Sequence, residues 1–172
     1  MTDKDVFNPA SLEAIAAAFA LQFPSVALLV LPSDAPVHRA VFELRCLGIN
    51  ARALDVIQDE HGKAHLMRRD VDAAAENPTL LVSTLAATRG LDLPALSHVF
   101  VLGVLDGGAV DAYLHVAGRV GRFGRGGHVV SVVERPREGQ KGQRPKDEPR
   151  MVRALLKKVG VQPVKLVLWE DT

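Results

Sequence analysis

Apolar residues recur along the chain at two spacings, which predict helices and buried strands in turn. Residues 11–23 place apolar side chains at helical spacing behind Ser11, which is predicted to cap the helix, and residues 36–47 repeat this pattern before Gly48. Between them, residues 26–31 are wholly apolar and are followed by a proline. Such a run is typical of a strand buried on both faces of a parallel sheet.

The alternation continues to the end of the chain. Further strands are predicted at 50–54, 79–83, 99–102 and 129–133, and further helices at 66–76 and 111–118. Residues 135–150 have no apolar residue except prolines and are predicted to be a polar, basic linker before a terminal helix (151–159) and strand (164–169). The pattern predicts one α/β domain over residues 1–172, with a mainly parallel sheet and helices on both faces.

Composition narrows the class of protein further. With 172 residues, 48% of them hydrophobic and 24% charged, the chain has enough apolar material for a core, which excludes disordered and collagen-like proteins. One cysteine, Cys46, allows no internal disulfide, and the first residues lack the pattern of a secretory signal. No apolar run approaches the roughly 20 residues that span a bilayer. An intracellular protein without membrane contact is expected.

The charge is unevenly distributed. Residues 1–115 carry 8 lysines and arginines against 14 aspartates and glutamates, a net charge of −6, whereas residues 116–150 carry 9 against 4, a net charge of +5. Any anionic partner is therefore expected to meet the protein at the basic stretch 116–150.

The densest candidate for chemistry is HVAGRVGRFGRGG, residues 115–127. Arg119, Arg122 and Arg125 recur every three residues between glycines. A guanidinium group binds phosphate oxygens in pairs, and glycines allow close approach to the backbone. The same residues are also consistent with a flexible basic loop that has no specific role.

A second candidate, STLAATRGLDL at residues 83–93, follows a predicted strand. Ligands of open α/β sheets bind beyond the carboxyl ends of strands. There, Thr84 is able to donate to a phosphate and Asp92 to accept from a ribose hydroxyl. Alternatively, Thr84 caps the next segment and Asp92 forms a surface turn.

Together, the two segments resemble motifs V and VI of superfamily 2 helicases, most closely those of the DEAD-box RNA helicases. STLAATRGLD is similar to the family's ATDVAARGLD, and HVAGRVGR to its HRIGRTGR, with Tyr113 two residues ahead of the histidine. VALLVLPSD, residues 26–34, occupies the place of motif IV. The resemblance covers about residues 11–135 and, more weakly, the terminal helix and strand at 151–169. It implies a RecA-like fold, namely the second, C-terminal domain of a helicase core.

The resemblance implies a role for each matching residue. Arg119 and Arg122 match the arginines that reach the γ-phosphate of ATP held by the first domain, and Asp92, with Gly90 beside it, matches the aspartate that contacts the ribose. Thr84 matches a threonine that contacts an RNA phosphate, and a similar contact is expected for Ser33 in motif IV. The partners that the resemblance implies are single-stranded or structured RNA and the first RecA-like domain.

The chain also departs from the family pattern. Leu85 replaces the motif V aspartate, Val116 replaces the arginine after the motif VI histidine, and no Gln-x-x-Arg pair occurs between residues 53 and 76. In motif IV, Val30 and Pro32 replace a phenylalanine and an asparagine. These changes are expected to leave fewer polar contacts with RNA and with the first domain.

The sequence lacks the parts that hold a nucleotide. It contains no G-x-x-x-x-G-K-S/T segment and no DEAD-like acidic strand, so ATP and Mg²⁺ are expected only together with a first domain, and the chain alone is expected to be an inactive monomer. An alternative function is a non-catalytic RecA-like scaffold or protein-binding module in a ribonucleoprotein. An upstream Walker-type domain in the native reading frame would discriminate between the two.

Overall fold

The structure, a computed structural model, describes residues 7–22, 24, 26–54, 78–88, 96–105, 110–118, 127–136 and 147–166. Five parallel strands form one sheet in the order β2-β3-β1-β4-β5: β1 (Val26–Leu31), β2 (Ala51–Ala53), β3 (Thr79–Thr84), β4 (His98–Leu102) and β5 (His128–Val132). The helices of these ranges are α1 (Pro9–Gln22), α2 (Val37–Cys46), α3 (Leu85–Thr88), α4 (Val110–Ala117) and α5 (Glu148–Lys158).

The central strand of the parallel sheet is covered on both faces. All six residues of β1 are buried, as its unbroken apolar run predicted. β1 pairs with β3 on one side and with β4 on the other. Parallel strands need connections that cross a face of the sheet, so both faces carry helices. The predicted α/β class is confirmed.

Two apolar clusters lie on opposite faces of the sheet. Leu29 and Leu31 point into a cluster shared with α1 and α2. Leu28 and Val30 point to the other face, where the cluster includes residues of α3 and α4. Successive side chains of a strand alternate between faces, so one apolar strand supplies both clusters. No described helix is long and apolar enough to cross a bilayer.

The start of α1 differs from the prediction. The helix begins at Pro9, and the side chain of Asn8 accepts a hydrogen bond from Ala10 N at 3.0 Å. Asn8 is therefore the capping residue, and Pro9 suits the first helical position because its missing N–H would have no partner there. Ser11, predicted as the cap, lies inside the helix and is buried.

The C-terminal region also differs from the prediction. Asp147 caps α5 by accepting a hydrogen bond from Arg150 N at 3.1 Å, so residues 148–150 belong to the helix and not to the predicted linker. Residues 161–166 form no strand. The rest of the predicted last strand and the predicted helix at 66–76 lie outside the described residues.

Candidate functional site

Two of the predicted site residues, Ser33 and Thr84, lie at the carboxyl edge of the sheet on neighbouring strands. Leu31 and Thr84 are register partners in the parallel pair β1–β3. Ser33 comes two residues later, in an exposed turn that is closed by a hydrogen bond from Ala35 N to Pro32 O at 3.0 Å. Neighbouring strands are about 4.8 Å apart. The fold therefore brings the two hydroxyl residues to one edge of the sheet.

Thr84 also has a structural role. Its Oγ1 accepts a hydrogen bond from Ala87 N at 3.4 Å, so it caps α3. This is the alternative that the sequence left open for Thr84. The two roles are compatible, because a hydroxyl that accepts one hydrogen bond still has its own hydrogen to donate. Thr84 is half-buried, which leaves part of it open to a ligand.

Leu85 occupies an apolar site and not a polar one. Residues 85–88 form one helical turn, in which Thr88 Oγ1 donates to Leu85 O at 2.6 Å. The side chain of Leu85 is 1% exposed and packs in the cluster under α3 and α4. A helix of four residues cannot persist on its own hydrogen bonds. Its place on the sheet depends on the burial of Leu85.

Val116 lies in the same apolar cluster, on α4. Ala112 and Val116 are one helical turn apart, and both are buried against the sheet. The helix ends at Gly118, whose N–H donates to Leu114 O at 2.9 Å. A side chain at Gly118 would place its Cβ 3.1 Å from that same carbonyl oxygen, which is tighter than nine in ten real Cβ contacts. The motif VI glycine is thus explained by a tight helix end.

The four remaining site residues of the prediction are Arg119, Arg122, Gly90 and Asp92, and they lie outside the described residues. Their roles stay predictions. Their flanking residues are described: Thr88 ends α3 before Gly90, and Gly118 ends α4 directly before Arg119.

An acidic cleft of about 290 Å³ opens beside the Ser33 turn, over the carboxyl ends of β1, β4 and β5. Asp34, Glu134 and Glu148 line it, and none of its described lining residues is basic. Glu148 is buried and accepts a hydrogen bond from Glu134 N at 2.9 Å, which ties α5 to the end of β5. No local pattern indicates this cleft, because Glu148 belongs to a stretch whose composition predicts a solvated linker. A phosphate is unfavourable in such surroundings.

A pair of histidines lies at the opposite, amino edge of the sheet. The rings of His98 and His128 stack with their centroids 4.9 Å apart, and Ser97 Oγ lies 2.7 Å from His98 Nδ1. Burial, and secondarily the nearby His128, lower the pKa of His98 below its usual value. No motif in the sequence indicated this pair, since it depends on the β4–β5 register.

The histidine pair predicts a loss of stability in acid. Because the folded state lowers the pKa of His98, the unfolded chain binds the proton more readily, and the free energy of unfolding should fall as the pH drops below about 6.5. His98→Gln should reduce this fall, and His128→Gln should reduce it less, because burial of His98 remains. Urea unfolding at several pH values measures the effect. Equal pH dependence in all three proteins would contradict the assignment.

Among the residues that the structure describes, no group of three or more histidine, cysteine, aspartate or glutamate side chains is placed to hold a metal ion.

Known proteins show the same combination of sequence and fold. The family described as the helicase conserved C-terminal domain matches residues 27–124, which is more than half of the chain. The ATP-dependent RNA helicase SrmB of Escherichia coli (strain K12) is 37% identical over 100 residues, which are 57% of this chain and 21% of SrmB. The chain thus spans about a fifth of the length of that relative.

Solved structures agree on the fold. The C-terminal domain of the DEAD-box protein Dbp5 has a TM-score of 0.61 to this chain at 21% identity, covering 89% of this chain and 80% of the other. S. cerevisiae Dbp5 bound to RNA and ADP BeF3 has a TM-score of 0.58 at 23% identity, covering 89% and 37%. The chain therefore belongs to the helicase conserved C-terminal domain family, and its five-stranded parallel sheet has the RecA-like fold of the DEAD-box C-terminal domains to which it is similar.

Proposed function

We propose that this chain is the second domain of an ATP-dependent RNA helicase core and that it closes over RNA and ATP together with a first RecA-like domain. The observation that carries the proposal is the placement of Ser33 and Thr84 on adjacent strand ends, one exposed and one half-buried. The relative SrmB is an ATP-dependent RNA helicase by name, and the Dbp5 structure contains RNA and ADP BeF3.

On the RNA side, the two hydroxyl groups donate to phosphate oxygens of the strand. Such contacts recognise the sugar–phosphate backbone and carry little sequence information. The acidic cleft next to Ser33 limits the path of the RNA, because Asp34 and Glu134 repel phosphates on that side. The RNA backbone therefore crosses the end of β3 and the adjoining Ser33 turn, and it avoids the cleft itself, which extends from that turn over the ends of β4 and β5.

On the ATP side, Arg119 and Arg122 stabilise the negative charge that develops on the transferred phosphoryl group. They follow α4 closely, because that helix ends at Ala117 and the next residue, Gly118, directly precedes Arg119. Asp92 and Gly90 contact the ribose. ATP itself is held by the first domain with Mg²⁺, since the carboxyl-edge cleft of this domain is lined by carboxylates, which do not fit a triphosphate.

The proposed cycle uses these two sides in sequence. RNA and ATP draw this domain onto the first one, so that Thr84 and Arg119 engage their ligands together. A bound nucleotide supplies the phosphoryl group to be transferred to water, and the arginines lower the barrier to that transfer. Loss of the phosphate then reopens the two domains and releases the RNA.

A second candidate function is a non-catalytic scaffold or protein-binding module. It is favoured by Leu85 and Val116, which replace polar family residues and are both 1% exposed in an apolar cluster. A scaffold of this kind would show no dependence on ATP and no effect of the two arginines on any measured activity.

The first test of the proposal is RNA binding by the chain itself. We expect weak binding of a short single-stranded RNA, with an affinity that falls as salt rises, because the basic stretch 116–150 carries a net charge of +5 and releases counterions from the phosphates. Ser33→Ala combined with Thr84→Val should weaken binding further. Fluorescence anisotropy titrations at three salt concentrations measure both effects.

The control for that experiment is Ser97→Ala, which removes a hydroxyl at the opposite edge of the sheet. Its affinity for RNA should equal that of the unaltered chain. Tight binding that is independent of salt, or equal affinities for the double variant and the control, would contradict the proposed interface.

A further inference from the structure

We propose that the exposed face of α5 is a second RNA contact, where a basic stripe formed by Arg150, Arg153 and Lys157 binds the phosphates of a base-paired segment of RNA. The inference deepens the proposed function and rests on it, because it adds a duplex-binding surface to the contacts that Ser33 and Thr84 make with a single strand. All three residues of the stripe are exposed.

The three cations lie on one face of α5. Consecutive residues of an α-helix are about 100° apart around its axis, so residues 150, 153 and 157 fall within an arc of about 60°. They extend over about 10 Å of the helix axis. Leu155 and Leu156 are buried on the other side of the helix. Their burial holds α5 on the domain and leaves the stripe facing outward.

The charge of the stripe is not balanced within the described part of the chain. There, none of its three cations forms an ion pair. The two acidic residues at the start of α5 are used elsewhere, since Asp147 caps the helix and Glu148 is buried. On α2, by contrast, Arg39 pairs with Glu43 at 2.7 Å, one helical turn away. The stripe is therefore open to an anion from outside the chain.

The stability of α5 does not explain the stripe. Lys157 lies in the last turn, where a cation is favourable because the C-terminus of a helix carries a partial negative charge. Arg150 lies in the first turn, where the partial charge is positive and a cation is unfavourable. A cation in that position, exposed and without a described partner, favours contact with a ligand over a structural role.

The chemistry of the stripe favours base-paired RNA. Guanidinium groups bind phosphate oxygens in pairs. Proteins that bind single strands without sequence preference stack the bases on aromatic side chains, and α5 contains no aromatic residue. Double-stranded RNA, however, is recognised mostly by its shape and by contacts with phosphates and 2′-hydroxyl groups. A rigid row of cations without aromatic neighbours suits the backbone of a duplex.

The stripe is separate from the single-strand contacts. α5 lies at the β5 edge of the sheet, where Val152 lines a small pocket together with Ser131 of β5. Thr84 ends β3, which is three strands away from β5, a distance of about 14 Å across the sheet. Glu148 lines the acidic cleft on the side of α5 opposite the stripe. An RNA with a duplex next to a single strand can therefore contact both surfaces without entering the cleft.

The experiment uses the 172-residue chain and a labelled, blunt-ended RNA duplex. A stripe variant replaces all three cations by glutamine: Arg150→Gln, Arg153→Gln and Lys157→Gln. We expect its affinity for the duplex at low salt to fall at least about tenfold, because each lost phosphate contact removes nearly one released counterion. For the same reason, the slope of log affinity against log salt should become less steep by about 2 to 3. Fluorescence anisotropy titrations at several salt concentrations measure both quantities.

A charge-matched control removes three exposed cations outside the stripe: Arg39→Gln, Arg52→Gln and Lys158→Gln. Residues 39 and 52 lie on α2 and β2, at the opposite edge of the sheet, and Lys158 is about 100° away from Lys157 around α5. The control should bind the duplex within about threefold of the unaltered chain, because distant charges are screened by salt. Equal affinities of the stripe variant and the control would overturn the inference.

Thermal unfolding shows whether the stripe variant is intact. Its midpoint should equal or exceed that of the unaltered chain, because a cation in the first turn does not stabilise α5. Polyglutamate tests for an acidic protein as the partner. If the chain binds polyglutamate as tightly as the duplex and the stripe variant weakens both alike, the assignment to RNA is overturned.

Ser33→Ala combined with Thr84→Val separates this inference from the proposed function. This double variant should weaken binding of single-stranded RNA and leave binding of the duplex unchanged. If it does so while the stripe variant binds the duplex normally, only the stripe is overturned. If the stripe variant loses duplex binding while the double variant binds single strands normally, the proposed site at Ser33 and Thr84 fails and the stripe is supported.

Discussion

Alanine in place of Arg119 or Arg122 is expected to lower RNA-stimulated ATP turnover about 10³-fold or more when a first RecA-like domain precedes this chain. In the proposed function the two arginines stabilise negative charge that appears mainly in the transition state, so their loss should reduce kcat before it reduces the affinity for RNA. Steady-state ATPase assays and RNA titrations on the same variants measure the two quantities. Lysine should not restore turnover, because it lacks the planar fork of donors.

Arg125 offers the matched control, since it lies three residues further along the same glycine-rich stretch. Arg125→Ala should have a modest effect on turnover. The 172-residue chain alone should show no turnover, with or without Arg119, because it lacks the phosphate-binding loop. If Arg125→Ala lowers turnover as much as Arg119→Ala, the assignment of motif VI is wrong and the scaffold function is favoured. The same conclusion follows if both Arg119→Ala and Arg122→Ala keep near-normal turnover.

The second large effect concerns stability. Leu85→Asp restores the residue type of the related motif, but in this chain it places a carboxylate in an apolar cluster at a site that is 1% exposed. An unpaired buried charge is expected to lower the free energy of unfolding by about 3 kcal/mol or more. Urea unfolding of the 172-residue chain measures the change.

Ala86→Asp is the control, because Ala86 is the next residue of α3 and is exposed. It should change the free energy of unfolding by less than about 0.5 kcal/mol. Adding Val116→Arg to Leu85→Asp should recover part of the loss, since an opposite charge enters the same cluster. Equal stabilities of Leu85→Asp and Ala86→Asp would show that residue 85 is not buried as described.

Much of the fold follows from short-range patterns. The six apolar residues of β1 predicted its bounds and its burial on both faces, because only a central parallel strand tolerates such a run. The order of the strands in the sheet could not be predicted from the apolar pattern, since no local feature distinguishes a strand that pairs with β3 from one that pairs with β4. The cap of α1 was misplaced because Asn8 and Ser11 are both good capping residues, and the choice depends on which of them packs against the core.

The site could be predicted only in part, for a related reason. Motif order identified Ser33 and Thr84, but their placement on adjacent strand ends depends on the β1–β3 register. The acidic cleft combines side chains from the turn after β1, the end of β5 and the start of α5. Two of its carboxylates, those of Asp34 and Glu148, are more than a hundred residues apart in the sequence. Local spacing carries no signal for such a feature. The burial of Leu85 and Val116 likewise appears only once α3 and α4 share a face.

The separation of the core into two clusters by the sheet has a consequence for how the sequence can change. Ile15 on α1 and Val116 on α4 lie in different clusters, with a layer of backbone between them. Substitutions on the two faces share no neighbours, so their effects on stability should add. Apolar residues can therefore replace polar ones in the cluster under α3 and α4 without disturbing the packing under α1 and α2. The two halves of the core can diverge at different rates.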